Sequence, residues 1–238
     1  MTGTKQRRVP DAGRPTIREN GIGRPRPPGG RTRERLVRAA HEVLEDGGYA
    51  GASVLAIARR AGVSAGALYR HFPSKAALFV EVLRAAGNDQ LAEMYLAAER
   101  VEDVATRLEA VVATYARSAL HNRRLAWALV YEPVDPAVDR ERLACRRTYC
   151  RGMAALLREG IAAGEFPDEN ADLTAAGLVG MIAETLVGPL SPVGDERLPK
   201  EGSEEEIVAS LLRLCRRAVG VREVPGQRTD RSRTSRAR

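Results

Sequence analysis

The sequence predicts an all-α protein in which a small N-terminal three-helix domain precedes a larger helical domain. Three observations indicate this class. Apolar residues recur at three- and four-residue spacing in successive segments between about residues 33 and 220. Serine, aspartate, glycine and proline stand where those segments start and stop. Residues 54–72 form a glycine-hinged pair of short helices, around which the other segments are organised.

Residues 1–30 are expected to be disordered, because they combine proline, glycine and arginine without any apolar period. Gly-Arg-Pro occurs at residues 13–15 and again at 23–25. Each copy resembles part of the Arg-Gly-Arg-Pro sequence that lies in A·T-rich minor grooves, although the leading arginine is absent. Basic arms commonly enter the minor groove beside a helix in the major groove. A merely solvated tail is the alternative interpretation.

The first helix is expected over residues 33–45, with Thr32 as its cap and an apolar stripe on one face. The glycines at 47–48 should end this helix, since glycine tolerates the backbone conformation that a helix end requires. Tyr49 should then fill the small core of the three-helix unit.

The hinged pair is recognised from the residues around its turn. Val54, Ile57 and Ala58 fall on one face of the second helix, and Gly62 stands where a tight turn needs positive φ. Ser53 is placed to cap the second helix, and Ser64 is placed to cap the third. Two helices joined by a short glycine turn form a helix-turn-helix, whose second helix enters the major groove of DNA. An ordinary helical hairpin is the alternative.

A set of residues in and beyond the motif forms a wider pattern: Ala61-Gly62-Val63-Ser64, Gly66, Leu68-Tyr69, His71-Phe72, Pro73, Lys75 and Leu78. This pattern resembles the signature of the TetR family of bacterial transcriptional regulators, strongly over about residues 31–84 and more weakly to about 220. The resemblance implies an all-helical homodimer that binds DNA and senses a small molecule. It implies a DNA-binding domain (31–76) and a ligand-binding and dimerisation domain (77–220). The composition of the two ends adds a disordered basic arm (1–30) and a disordered basic tail (221–238).

The resemblance and the motif together predict the DNA-contacting residues: Ser53, Ser64, Ala65, Gly66, Ala67, Tyr69, Arg70, His71 and Lys75. The two alanines stand where many family members carry Lys or Thr, so base recognition shifts toward Arg70. Tyr69 and His71 are expected at phosphates, with an uninvolved helix-end residue as the alternative for His71. Lys75 is expected to meet a phosphate together with the free N–H groups of the next helix.

The fourth helix begins after Pro73, with Ser74 as its predicted cap. It is the only covalent link between the two domains, so we expect it to transmit the effect of ligand binding. Beyond it we expect helices near residues 102–120, 123–131, 135–163, 172–186 and 203–218. Ser203 and the glutamates after it form a capping box. The resemblance implies that the last two helices pair with their copies in a four-helix bundle; burial within one chain is the alternative.

Four aromatic residues mark a candidate ligand site in the larger domain: Trp127, Tyr131, Tyr95 and Tyr115. Together with Phe79 they are placed to line a space between the fourth and seventh helices. Aromatic walls with a few polar groups suit a small organic effector. Each residue taken singly is equally well explained as part of the core.

Charge is unevenly distributed along the 238 residues, whose net charge is +7. Residues 1–31 hold eight basic and two acidic residues, whereas residues 76–220 hold seventeen and twenty-three. Positive charge therefore lies on the tails and the motif, and the larger domain is acidic. This distribution is typical of a nucleic-acid-binding protein with a separate regulatory domain.

Other classes of protein are disfavoured by what the sequence lacks. No apolar run approaches the ~18 residues of a membrane span, and the arginine-rich N-terminus does not resemble a signal peptide, so we expect a cytoplasmic, nucleoid-associated protein. The three cysteines match no metal or redox spacing, although a redox pair of Cys145 and Cys150 is a minor alternative. The three histidines lie on separate segments and no catalytic motif is present. We therefore expect neither an enzyme nor a cofactor nor a metal.

The combined pattern predicts a homodimeric repressor on a palindromic operator. Each subunit inserts its recognition helix into one half-site, and the half-sites lie about 34–36 Å apart or a multiple of that distance. A small organic effector favours a form with the wrong helix spacing and so releases the DNA. Activation of transcription is one alternative. A nonspecific DNA-packaging protein is another, and it would show a specificity ratio near one.

Deleting residues 1–29 should flatten the salt dependence of operator binding, because fewer arginines then displace counterions from the phosphates. The slope of log affinity against log salt concentration, measured by fluorescence anisotropy, checks this. An unchanged slope would show that the arm makes no phosphate contacts.

Overall fold

The computed structural model describes residues 28–192 and 204–221, and within them the chain is all α. The described helices are α1 (Pro28–Gly51), α2 (Val54–Arg60), α3 (Ala65–His71), α4 (Lys75–Ala98), α5 (Val104–His121), α6 (Arg123–Val130), α7 (Pro136–Ala162), α8 (Ala171–Leu190) and α9 (Glu204–Ala218). Residues 1–27 of the basic arm, the tail after Val221 and the predicted cap Ser203 lie outside the described residues. Residues 28–30, which the sequence predicts as the disordered end of the arm, instead form the start of α1.

Helix α1 is longer than the sequence predicts. It begins before Arg33, so Thr32 lies inside the helix and is not its cap. The helix is broken at Gly48, whose φ of 67° lies in the left-handed region that favours glycine. The predicted stop was therefore correct in position, but the chain resumes helical geometry up to Gly51.

The helices bury two hydrophobic cores. The N-terminal core joins α1, α2 and α3 to the first half of α4 and includes the fully buried Leu36, Ile57 and Leu68. The C-terminal core joins α5, the second half of α7, α8 and α9. Helix α6 lies between the two, since its Ala128 belongs to the N-terminal core and its Trp127 packs against the C-terminal core.

Helix α8 is an exception to the prediction that no stretch of the chain is long and apolar enough for a membrane span. By length and composition alone, Ala171–Leu190 is the one helix in the described part of the chain that meets that test. One face, which includes Ala175 and Leu178, is buried in the C-terminal core. Only 28% of the apolar window is buried, and Leu173 is 72% exposed. Helix α8 thus carries a second apolar face that the described residues leave uncovered.

Replacing Gly160 by alanine should destabilise the C-terminal core. A Cβ at this position of α7 would lie 2.2 Å from the ring of Phe166, which is itself buried. Overpacking of this kind costs ~1–3 kcal/mol. Gly47→Ala is the matched control, because no atom lies within 4 Å of the added Cβ and alanine is the better helix former. Urea unfolding followed by circular dichroism measures both, and equal midpoints for G160A and wild type would contradict the prediction.

Candidate functional site

The turn between α2 and α3 is built as the sequence predicts. Gly62 has a φ of 65°, and the N–H of Val63 donates to the carbonyl of Ala58 at 3.0 Å, which closes the end of α2. The guanidinium of Arg35, on α1, donates to the carbonyl of Ala61. The turn is therefore fixed both by its own backbone and by the first helix.

Both predicted serine caps are present. Ser53 Oγ accepts from the N–H of Ala56 at 3.1 Å, and Ser64 Oγ accepts from the N–H of Ala67 at 3.1 Å. Both serines are exposed. A hydroxyl that accepts a hydrogen bond keeps its own proton for donation. Each cap is thus free to donate to a phosphate at the end of the helix that it starts.

Helix α3 buries one face and exposes the other. Leu68 and Phe72 are buried in the N-terminal core. The opposite face exposes Gly66, Tyr69 and Arg70, of which Tyr69 is 51% exposed. The remaining predicted contact residues of the helix are partly buried: Ala65, Ala67 and His71. The exposed face of α3 therefore carries glycine, tyrosine and arginine, of which Arg70 offers the largest number of hydrogen-bond donors.

Lys75 lies differently from the expected phosphate contact. Its ammonium donates to the carbonyl of Tyr49 at 2.6 Å and lies 4.1 Å from the centre of the Tyr49 ring. Burial lowers the pKa of Lys75, and the nearby Glu132 offsets part of that effect. In this conformation the first turn of α4 offers a phosphate only its backbone N–H groups and the cap Ser74. A contact from the Lys75 ammonium stays a prediction and requires the side chain to leave Tyr49.

A carboxylate from the larger domain holds the broken end of α1. Glu132, just after α6, accepts from the N–H groups of Tyr49 at 2.8 Å and Ala50 at 3.0 Å. A Cβ on Gly48 would lie 2.9 Å from Glu132 Oε2, so glycine is needed for both the backbone angle and the close approach. With Lys75 on the Tyr49 carbonyl, we call this set of contacts the Glu132 clamp. Tyr49 therefore lies where the two domains meet and does not simply fill the three-helix core.

Helix α6 is fastened to α1 at its other end as well. The side chain of Asn122, which precedes α6, makes no capping bond with that helix and instead donates its amide to the carboxylate of Glu45 on α1. Arg142 of α7 donates to the carbonyls of Ala128 and Leu129 at 2.7 Å each, which satisfies the open end of α6. The residues on both sides of this short helix thus bind the first helix of the N-terminal unit.

A cavity of about 1030 Å³ lies between α4, α5, α6, α7 and α8, and it reaches His41 on α1. Tyr95 and Tyr115 lie in its wall, as the sequence predicts, and whether they bind a ligand stays a prediction. Tyr149 of α7 also lines the cavity, and the sequence reasoning missed it. Phe79 belongs to the N-terminal core instead.

Trp127 and Tyr131 were expected in that wall, but neither lines the cavity. Their rings lie 5.2 Å apart against the C-terminal core, and the Tyr131 hydroxyl donates to the carbonyl of Ala183. Helix α6 instead turns Leu125 and Leu129 toward the cavity. Sequence spacing identified α6 as a wall of the cavity but selected the wrong face of it.

The described residues offer little support for metal binding or for a reactive cysteine. No group of three His, Cys, Asp or Glu side chains within residues 28–192 and 204–221 is arranged to hold a metal ion. Cys145, Cys150 and Cys215 are free thiols, and burial raises the pKa of Cys145 and of Cys215. Buried thiols with raised pKa values are poor nucleophiles.

The fold and these two regions define a class of protein: a helix-turn-helix DNA-binding regulator with a cavity in its second domain. The family model described as "Bacterial regulatory proteins, tetR family" matches residues 36–82. The model described as "Tetracyclin repressor-like, C-terminal domain" matches residues 101–186. The chain belongs to the TetR family of bacterial transcriptional regulators.

Individual proteins agree with this assignment. The chain is 28% identical over 183 residues to the HTH-type transcriptional regulator UidR of Escherichia coli K12, covering 76% of this chain and 91% of UidR. It is 35% identical over 100 residues to the HTH-type transcriptional activator FasR of Mycolicibacterium smegmatis, covering 42% and 45%. The crystal structure of the regulator FadR of Bacillus subtilis in complex with stearoyl-CoA superposes with a TM-score of 0.66 at 19% identity, covering 80% and 99%.

Membership settles the general role of the chain. It is a DNA-binding transcriptional regulator of the bacterial cytoplasm, and its relatives are regulators rather than enzymes. Regulators of this family act as dimers on DNA operators and bind small-molecule effectors.

Proposed function

We propose that the protein is a homodimeric repressor that an effector in the cavity releases from a palindromic operator. The observation that carries the proposal is the shared wall: His41 of α1 lines the same cavity as Leu125 and Leu129 of α6. A molecule that fills the cavity as far as His41 would therefore contact the DNA-binding unit directly. In this proposal the dimer is associated with the nucleoid, because its operator lies on the chromosome, and it catalyses no reaction. Because one relative is named an activator, activation is the alternative sign of regulation.

The proposed dimer uses the uncovered face of α8 together with α9. Leu173 is exposed, and the neighbouring Ala176 and Gly177 have small side chains that permit close helix approach. Leu214 of α9 is 40% exposed, whereas Leu211 of the same helix is fully buried. Covering these faces with a second copy removes apolar surface from water, which stabilises the dimer. A four-helix bundle of two α8 and two α9 helices accounts for both exposed faces.

The proposed coupling runs through α6. A ligand that shifts α6 moves Asn122 and Glu132 together, and these residues hold Glu45 and the broken end of α1. The DNA-binding unit then turns relative to the dimer interface and changes the spacing of the recognition helices. A ligand shifts this equilibrium only by the difference in its affinity for the two arrangements.

Replacing Arg70 by alanine should relax base preference, because Arg70 is the exposed arginine that α3 presents to the groove. The loss of one good base contact is worth about 1–3 kcal/mol of discrimination. Lys75→Ala should instead weaken binding to all sequences similarly. Footprinting of the upstream DNA first locates the operator, and competition against unrelated DNA then gives the specificity ratio. An unchanged ratio for R70A, or a wild-type ratio near one, would support the packaging alternative.

Glu132→Gln should loosen the DNA-binding unit, since hydrogen bonds to a charged group contribute about 1.5–3 kcal/mol and the amide has only one acceptor oxygen. We expect faster hydrogen exchange in residues 45–53 and weaker operator binding. The matched control is Glu165→Gln: Glu165 accepts from the N–H groups of Val104 and Ala105 at 3.1 and 2.8 Å, away from α1. E165Q should change exchange at the start of α5 only. Wild-type operator affinity in E132Q would disprove the role of the clamp.

A further inference from the structure

The cavity wall contains three arginines, and two of them already have carboxylate partners. Arg107 pairs with Glu159 at 2.7 Å. Arg142 pairs with Asp139 at 3.1 Å and also holds the end of α6. Arg146 has no carboxylate within ion-pair distance among the residues that the structure describes. Its permanent positive charge is therefore free to meet an anion in the cavity.

Arg146 lies at the side of the cavity where α7 meets α8. Its Nη2 is 3.4 Å from the place that a Cβ on Gly180 would take, so the absence of a side chain there makes room for the guanidinium. Burial raises the pKa of Tyr115 and of Tyr131, and the charge of Arg146 offsets part of that rise in both. The guanidinium is thus within electrostatic range of two phenol groups.

Three uncharged polar side chains of the wall can donate hydrogen bonds to a ligand. Burial raises the pKa values of Tyr115 and Tyr149, so both hydroxyls are protonated at neutral pH. Their rings pack edge to face at 5.9 Å, which fixes their orientation. The amide nitrogen of Gln90, another wall residue, is buried without an acceptor among the described residues. A buried donor without an acceptor is costly, and an acceptor on a ligand removes that cost.

The rest of the wall is largely apolar and includes Leu83, Leu91, Met94, Val112, Leu125 and Leu156. The volume of about 1030 Å³ lies at the upper end of small-molecule sites. We propose that the effector is an amphipathic organic acid, whose anionic group contacts Arg146 and whose apolar body fills the space between α4, α5 and α6. This inference rests on the proposed function, because it names the class of ligand for the same cavity.

An amine is the rival ligand, since Asp89 and Glu93 of α4 also lie in the wall. Both acids are exposed, and so is Arg146, so exposure does not decide between an acid and an amine. The buried wall group without an acceptor is the Gln90 amide nitrogen, and the phenol hydroxyls of Tyr115 and Tyr149 offer donors in the same wall. Donors that share a cavity wall with a guanidinium favour a ligand that supplies acceptors and negative charge.

Matched probes test the class of ligand. Dodecanoate, dodecyl phosphate, dodecanol and dodecylammonium share one chain and differ only in the head group. Isothermal titration of the full-length dimer, below the micelle concentration of each probe, should give at least ~10-fold tighter binding for an acid than for the alcohol, and weaker binding for the amine. The better of the two acids identifies a carboxylate or a phosphate head group. Failure of both acids to bind, or equal binding of acid and alcohol, would overturn the inference.

Arg146→Gln supplies the second readout. It should weaken binding of the preferred acid by ~10-fold or more and leave dodecanol binding unchanged. Arg147→Gln is the matched control, because Arg147 is its exposed neighbour on α7 and does not line the cavity. Size-exclusion chromatography checks each variant, and loss of the dimer in R146Q alone would assign Arg146 to the interface and reject the inference. If an acid binds but leaves operator occupancy unchanged, the ligand class stands and the proposed release fails.

Discussion

The position of the DNA-binding unit depends on one short helix that is held at both ends. Helix α6 has eight residues, and a helix of that length has little stability of its own. It persists because it packs between two hydrophobic cores and because Arg142 satisfies its last carbonyls. The residues that flank it, Asn122 and Glu132, bind α1. The orientation of α1, and with it α2 and α3, is therefore set by the packing of the larger domain.

Two structural connections, α4 and α6, link the cavity to the unit that carries the recognition helix. The covalent route is α4, which begins directly after the DNA-binding unit and lines the cavity with Leu83 and Gln90. The noncovalent route is α6, whose flanking contacts meet the end of α1 at Gly48. Lys75 joins the two routes, because it starts α4 and donates to the carbonyl of Tyr49 beside the clamp. A disturbance of either helix reaches the same few atoms.

The features that the sequence predicts correctly are those set by residues close together in the chain. The caps Ser53, Ser64 and Ser74 each act on an N–H three residues away, and the Gly62 turn is equally local. The Glu132 clamp joins residues 82 and 83 positions apart, and nothing near Gly48 indicates its partner. The face of α6 was misassigned for a related reason. Both of its faces are apolar because it lies between two cores, so periodicity alone does not show which face meets the cavity.

The coupling proposed for the Glu132 clamp has a consequence for the effector concentration at which the regulator responds in the cell. Coupling between two binding sites is reciprocal. If the effector lowers the affinity of the regulator for DNA by some factor, DNA lowers its affinity for the effector by the same factor. Dimers on the chromosome therefore respond at higher effector concentrations than dimers free in the cytosol. Regulator dimers that are not bound to DNA will bind effector at lower concentrations and so reduce the free effector that is left for operator-bound dimers. The threshold for induction is thus expected to rise with the number of regulator molecules per cell.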